Sequence, residues 1–209
     1  MRVIDFPQGS AEWLASRAGK VTASRISDVL AKIKTGEAAD RRDYKAQIVA
    51  EILTGKPQED GFTNSAMQWG TEQEPFARGA YEAAYGVLVD QVGLVLHPDI
   101  DRAAASPDGL SGDGLLEIKC PKTATHILYM TGGVVPSKYI NQMLWQMACT
   151  ERGWCDFVSF DPRLPQDLQL FKVRLNRDDD AIKAIEKEVR KFLEEVDEVI
   201  EKLTTRKAA

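Results

Sequence analysis

Apolar and polar positions along the chain alternate with two periods, and the change between them divides the sequence. From Asp40 to Leu53, Tyr44, Ile48 and Ile52 recur at helical spacing before Gly55 and Pro57 stop the run. A second helical stretch is predicted from Asn64 to Tyr85, ended by Gly86, with Pro75 marking a kink or a restart. Upstream, Ser10 or Thr22 can cap short helices, so the N-terminal third reads as helical. From Val87 the period shortens. VLVDQVGLVLHP, RAAAS and LLEIK read as three meandering strands joined by turns at Pro98-Asp99 and Pro107-Asp108-Gly109.

Pro136 opens a further helix through YINQMLWQMAC, and WCDFVSF and LQLFKVRL follow as strands. Meandering strands pair antiparallel, whereas a crossover helix invites a parallel partner. The expected fold is therefore α/β, a central mixed sheet flanked by helices, with a helical N-terminal segment and a long C-terminal helix. That last helix starts at Asp178 and carries Ile182, Ile185, Val189, Phe192, Val196, Val199 and Leu203 on one stripe. The stripe needs a partner, either the body of the protein or a coiled-coil seam with another chain.

At 209 residues the chain is expected to form one domain, with 44% hydrophobic and 28% charged residues and no apolar run of membrane-spanning length. The start, MRVIDFPQGS, lacks a signal-peptide core, which predicts a cytoplasmic protein. Cys120, Cys149 and Cys155 form no CxxC pair and are expected to be reduced and buried; His97 and His126 stand apart without a zinc pattern. Trp13 and Trp69, in helical segments, are expected in the core.

A net charge of -5 and a pI near 5.2 argue against a surface that coats nucleic acid throughout. Between Arg17 and Lys45, however, eight basic residues face four acidic ones. This run is either a solvated helical face or a phosphate-facing surface.

The chemistry concentrates in SPDGLSGDGLLEIKCP, Ser106 to Pro121. On a strand, Glu117 and Lys119 emerge on one face and Ile118 on the other. Asp108, in the preceding turn, can approach Glu117 across a pair of adjacent strands. A structural ion pair with Lys119 is one outcome. The other is a divalent cation, which relieves two adjacent carboxylates better than one ammonium. Magnesium suits oxygen ligands from Asp108, Glu117 and the backbone carbonyl of Ile118, and it retains waters and room for phosphate. Lys119 would then orient a water or help deprotonate it in phosphodiester hydrolysis.

SPDGL followed by LLEIKCP resembles the signature of the PD-(D/E)XK nuclease superfamily, specifically the phage lambda-type exonucleases or YqaJ-like viral recombinase family. EWLASRAGKVTAS, with Trp13, Arg17, Thr22 and Ser24, resembles its N-terminal motif. WGTEQE, KYINQ with Tyr139 and Gln142, and FDPRL with Asp161 and Arg163 follow in the family's order.

The resemblance implies a magnesium-dependent exonuclease, manganese being able to substitute, with one or two ions per site. It would degrade one strand of linear double-stranded DNA from the 5′ end and leave 3′ overhangs for recombination. It further implies a ring-shaped homotrimer in a bacterial host's cytoplasm, a phage or prophage protein working with a single-strand annealing protein. Carried over, Asp108 and Glu117 are metal ligands, Lys119 is the catalytic lysine, Glu74 an acidic support and Gln142 a positioning group. Arg17 and Ser24 hold the 5′ phosphate. The family's arginine after the E-x-K-C-P strand is unmatched; Thr125 and His126 stand there, with Lys122 or Lys34 as substitutes. A restriction- or repair-type endonuclease and a non-catalytic DNA-binding scaffold are the alternative functions.

Overall fold

The computed structural model describes residues 1–58 and 65–205. Its elements are β1 (Arg2–Ile4), α1 (Ala11–Arg17), β2 (Val21–Thr22), α2 (Ile26–Val29), α3 (Ala39–Thr54), α4 (Ser65–Tyr85), β3 (Leu94–Leu96), β4 (Ala103–Ala105), β5 (Gly109–Ser111), β6 (Gly114–Lys119), α5 (Thr123–Gly132), α6 (Ser137–Thr150), β7 (Trp154–Phe160), β8 (Leu170–Asn176) and α7 (Asp179–Thr205). The strands form two mixed four-stranded sheets, ordered β1-β3-β4-β2 and β5-β6-β7-β8. The expected α/β class with flanking helices and a long final helix is what the chain adopts.

Local chemistry accounts for several boundaries. The Ser10 hydroxyl accepts the Trp13 N–H at 3.1 Å and so caps α1, whereas Thr22 precedes a 3₁₀ turn and makes no side-chain cap. Gly55 and Gly86 take the left-handed conformation just past α3 and α4, at φ of 66° and 64°. Asp178 caps α7, its Oδ1 accepting the N–H groups of Asp180 and Ala181 at 3.1 and 3.0 Å. α4 runs unbroken through Pro75; the predicted start of that helix at Asn64 lies outside the described residues.

The strand order departs from the expected three-strand meander. β4, the RAAAS strand, pairs with β3 and β2 in the first sheet and does not reach β6. β6 instead pairs antiparallel with β5, a short strand that begins at the last residue of the predicted turn. Ser111 and Gly114 close a two-residue hairpin loop at Gly112-Asp113, with Gly112 at φ 53°. The run VLVDQVGLVLHP contributes only Leu94–Leu96 to a strand, plus a single bridge from Asp90 to Leu110. Gly93, just before that strand, permits a close backbone approach, since a Cβ there would strike the carbonyl oxygens of Ile4 and Phe6. The helical reading of the N-terminal third also missed β1 and β2.

The crossover through α5 and α6 makes β6 and β7 parallel, from Gly114↔Trp154 to Lys119↔Ser159. Alternation along β6 then feeds two cores. Leu116 and Ile118 pack with Ala77 and Tyr81 of α4, while Leu115 joins Trp145 and Phe157 in the larger cluster under α6 and α7. Of the α7 stripe, Ile182, Ile185, Val189, Phe192 and Val196 are buried within the chain, which makes the helix a cover on the body.

Part of the basic run serves that packing. Lys32 pairs with Glu188 of α7, and Arg41 and Lys45 both reach Glu195. Arg25 pairs with Asp28 and Arg42 with Asp43. Five of the eight cations are therefore paired within the chain, and Arg17 and Lys20 line a small cleft with Arg25.

Candidate active site

The β5–β6 register places Asp108, immediately before β5, opposite Glu117. The Asp108 N–H donates to Leu116 O at 3.1 Å, and its Oδ2 accepts the Ile118 N–H at 2.6 Å. Glu117 points the other way from Ile118, toward α6, and is fully buried. Its Oε1 accepts from Gln142 Nε2 and its Oε2 from Gln146 Nε2, each at 2.7 Å. Lys119 Nζ forms an ion pair with Glu117 Oε1 and stands 5.4 Å from the ring centroid of Tyr139. Asp108, Glu117, Lys119 and Gln142 are thus brought together.

Glu74 arrives from α4 and pairs with Arg78 NH2 at 2.5 Å, while Arg78 Nε donates to the Asp108 carbonyl at 3.3 Å. One guanidinium so ties helix and turn. A cavity of about 350 Å³ is lined by Glu74, Asp108, Ile118, Lys119, Cys120 and Tyr139, among others. It adjoins a groove of about 770 Å³ that shares Met67 and Glu74 and passes Trp13, Arg17 and Arg78.

Electrostatics follow from this crowding. Burial first, and then the charge of Glu117, push the Asp108 carboxyl well above the usual carboxylate range; Lys119 and the Ile118 N–H oppose the shift and lose. Glu74 is raised as well, by burial and by Glu117, against Arg78 and Lys119. For Lys119 burial works against the charge, but Glu117 and Asp108 outweigh it and raise the ammonium above its ordinary value. The Cys120 thiol is pushed up to about 12 by burial and the nearby Glu74 and Asp108, so it stays protonated.

This donor set fits a hard cation. Asp108 and Glu117 offer only oxygens, and a cation would offset both the burial of the Asp108 carboxyl and the nearby charge of Glu117, which raise it. Among the described residues no three His, Cys, Asp or Glu side chains gather into a cage. Two carboxylates suit a cation that keeps several waters. Lys119 takes the compensating place among the side chains themselves.

Arg17 lies 4.2 Å from the Trp13 ring centroid and donates to Thr22 Oγ1 at 3.5 Å; that hydroxyl is 3.4 Å from Ser24 Oγ. Arg17 therefore lines the groove that opens on Glu74, and exposed Ser24 adjoins it through Thr22. Both tryptophans differ from the core expectation. Trp13 is half-buried under Arg17 and donates its indole N–H to Ser106, and Trp69 is half-buried with the Arg163 guanidinium 4.6 Å from its ring centroid. Cys120 is likewise half-buried, unlike Cys149 and Cys155. His126, which stands near the position of the unmatched arginine, is buried and bonded to Ser159 Oγ at 2.7 Å and Leu168 O at 3.0 Å.

Sequence reasoning missed Gln146 and Arg78. Each stands four residues after a residue already singled out, Gln142 and Glu74, and helical i, i+4 spacing is the signal that finds them.

A mixed sheet whose inner strand presents a glutamate and a lysine, with an aspartate at the start of the neighbouring strand and a glutamate from the covering helix, defines a nuclease of the PD-(D/E)XK class. The chain belongs to the YqaJ-like viral recombinase domain family, whose model matches residues 12–153. It is 50% identical to the alkaline exonuclease LHK-Exo from Laribacter hongkongensis, with a TM-score of 0.87 over 95% of this chain and 98% of that one. A structure of LHK-Exo in complex with dAMP gives a TM-score of 0.88 with the same identity and coverage. A phage-related exonuclease from Haemophilus somnus, at 16% identity and a TM-score of 0.69 over 88% of this chain and 96% of that one, shares the fold. An uncharacterized protein of Acanthamoeba polyphaga mimivirus is 28% identical over 171 residues; the match takes in 75% of this chain and 30% of that protein's length.

Proposed function

We propose that the chain acts as one nuclease domain, a magnesium-dependent exonuclease that removes nucleotides from the 5′ end of one strand of linear double-stranded DNA and leaves 3′ overhangs for strand annealing. The observation that carries this reading is that Asp108 and Lys119 line one cavity while Glu117, buried beside it across the β5–β6 register, pairs with Lys119. The likeness to an alkaline exonuclease crystallised with dAMP supports a mononucleotide product.

Asp108 and Glu117, with the Ile118 carbonyl, would hold one or two Mg2+ or Mn2+ ions. When bound, the cation supplies Lewis-acid stabilisation of charge on the phosphoryl oxygens and makes water easier to deprotonate. Gln142 orients the Glu117 carboxylate, and Glu74, braced by Arg78, gives the cavity a further acidic wall. The charge on Lys119 is held up by Glu117 and Asp108, which suits it to orient the attacking water and stabilise developing anionic charge more than to remove a proton. Arg17, with Ser24 beside it, receives the terminal 5′ phosphate at the groove next to Glu74. Family membership extends the reading to a homotrimer that encircles DNA in a host cytoplasm and hands its overhang to a single-strand annealing protein.

The test is mononucleotide release from 5′-phosphorylated linear, 5′-hydroxyl linear and covalently closed circular duplex, with magnesium and with chelator. Release from the phosphorylated linear substrate alone, abolished by chelator, is the expected result. Rapid cutting of the circle would transfer the site to an endonuclease. Duplex binding with no cleavage under any condition would leave a scaffold.

A further inference from the structure

The geometry points to Gln146 as a positioning residue for the cation site, one that pins the second oxygen of Glu117 and so fixes the plane of that carboxylate. The inference rests on the reading of Asp108 and Glu117 as cation ligands.

The last torsion of a glutamate is broad and nearly two-fold, so a single hydrogen bond leaves the carboxylate free to swing about it. Here two amides come from successive turns of α6, Gln142 to Oε1 and Gln146 to Oε2, both at 2.7 Å. Two anchor points on two oxygens remove that rotation. The partners differ in kind, however. Gln142 is half-buried, so water can replace its bond, whereas Gln146 is 1% exposed. Loss of the Gln146 donor would leave the inner oxygen without a substitute.

Gln146 is itself held in the orientation this requires. Its Oε1 stands 4.0 Å from Cys155 Sγ, an S–H donor whose thiol is pushed up by burial. A turned amide would direct Oε1 at the carboxylate oxygen and Nε2 at the thiol, so the donating orientation is the one that satisfies both ends. Beyond the amide bonds, Oε2 keeps a second lone-pair direction, whereas Oε1 also faces Lys119 Nζ. A neutral clamp of this kind prepares a ligand without adding a competing charge, and loss of comparable supports elsewhere costs metal affinity or activity roughly 10- to 100-fold.

The experiment is titration of Mn2+ into the metal-stripped full chain by calorimetry, for the wild type, Gln146→Met, Gln146→Asn and Glu117→Ala. The Met variant conserves volume and removes the donor; the Asn variant keeps the amide one methylene short and stands in should Met impair folding. Both are expected to weaken Mn2+ binding by roughly 10- to 100-fold. The magnesium concentration for half-maximal nucleotide release should rise by the same factor. A lowered melting temperature with wild-type Mn2+ affinity in both variants would make Gln146 a packing residue and overturn the inference, with the nuclease reading intact. Wild-type affinity in Glu117→Ala would instead overturn the cation reading on which the inference stands.

Discussion

Asp108 Oδ2 accepts the Ile118 backbone N–H at 2.6 Å, so the aspartate is locked to the strand residue directly after Glu117. Backbone pairing thus holds the two acids together before any cation arrives. Burial, and then the charge of Glu117, raise the Asp108 carboxyl, and the folded protein bears this as a local cost of a prepared site.

That cost predicts the behaviour of Asp108→Asn. A carboxyl raised in the folded state destabilises the fold once the pH exceeds its ordinary value, because the folded form resists ionisation that the unfolded form accepts. Without metal at pH 8, Asp108→Asn should melt above the wild type by about 2–4 °C, corresponding to about 1 kcal/mol. Added Mg2+ should raise the wild-type midpoint and leave the variant unchanged, as read by differential scanning fluorimetry.

Lys119→Ala separates charge compensation from catalysis. Nucleotide release should fall by at least about 100-fold, the scale of losing a donor aimed at developing charge. Mn2+ affinity should be retained or increased, because the ammonium no longer competes for Glu117. Calorimetry and release assays on one preparation test both halves.

Acid sensitivity should trace to Asp161. Burial raises this carboxyl, but the Arg163 side chain and N–H and the Thr123 hydroxyl outweigh it and hold it at about 2. A depressed folded value contributes stability above the ordinary pKa near 3.8 that is lost as pH falls toward 2. Asp161→Asn should therefore destabilise at pH 7 by about 1 kcal/mol, after discounting for the half-exposed arginine, and the difference should shrink between pH 4 and pH 2. Urea unfolding at a series of pH values measures it.

Phe192→Ala tests α7 as a cover. The ring is fully buried, with the Tyr44 ring centroid 5.6 Å away and the Arg41 guanidinium 5.0 Å from its centroid. The truncation should cost about 3–5 kcal/mol with no change in molar mass by light scattering. A change of assembly state alone would instead place the helix at a seam between chains.

The sequence by itself determined the helices and strands whose patterns are long and cleanly bounded. α3, α6, α7 and β7 lie within a few residues of their predicted ends, because periodicity and glycine or proline punctuation act locally. It also determined that Glu117 and Lys119 share a face, since strand alternation needs no knowledge of neighbours. Tertiary structure alone decided that RAAAS leaves for another sheet, that Gly109–Ser111 is a strand beside LLEIK, and that Lys32, Arg41 and Lys45 pair with α7. Strand partners and ion pairs join residues far apart in the chain, and an edge, a buried carboxylate or a lysine carries no local mark of the group that will complete it. The same holds for Gln146: its spacing from Gln142 is visible in the sequence, but only packing of α6 against β6 turns it toward Glu117.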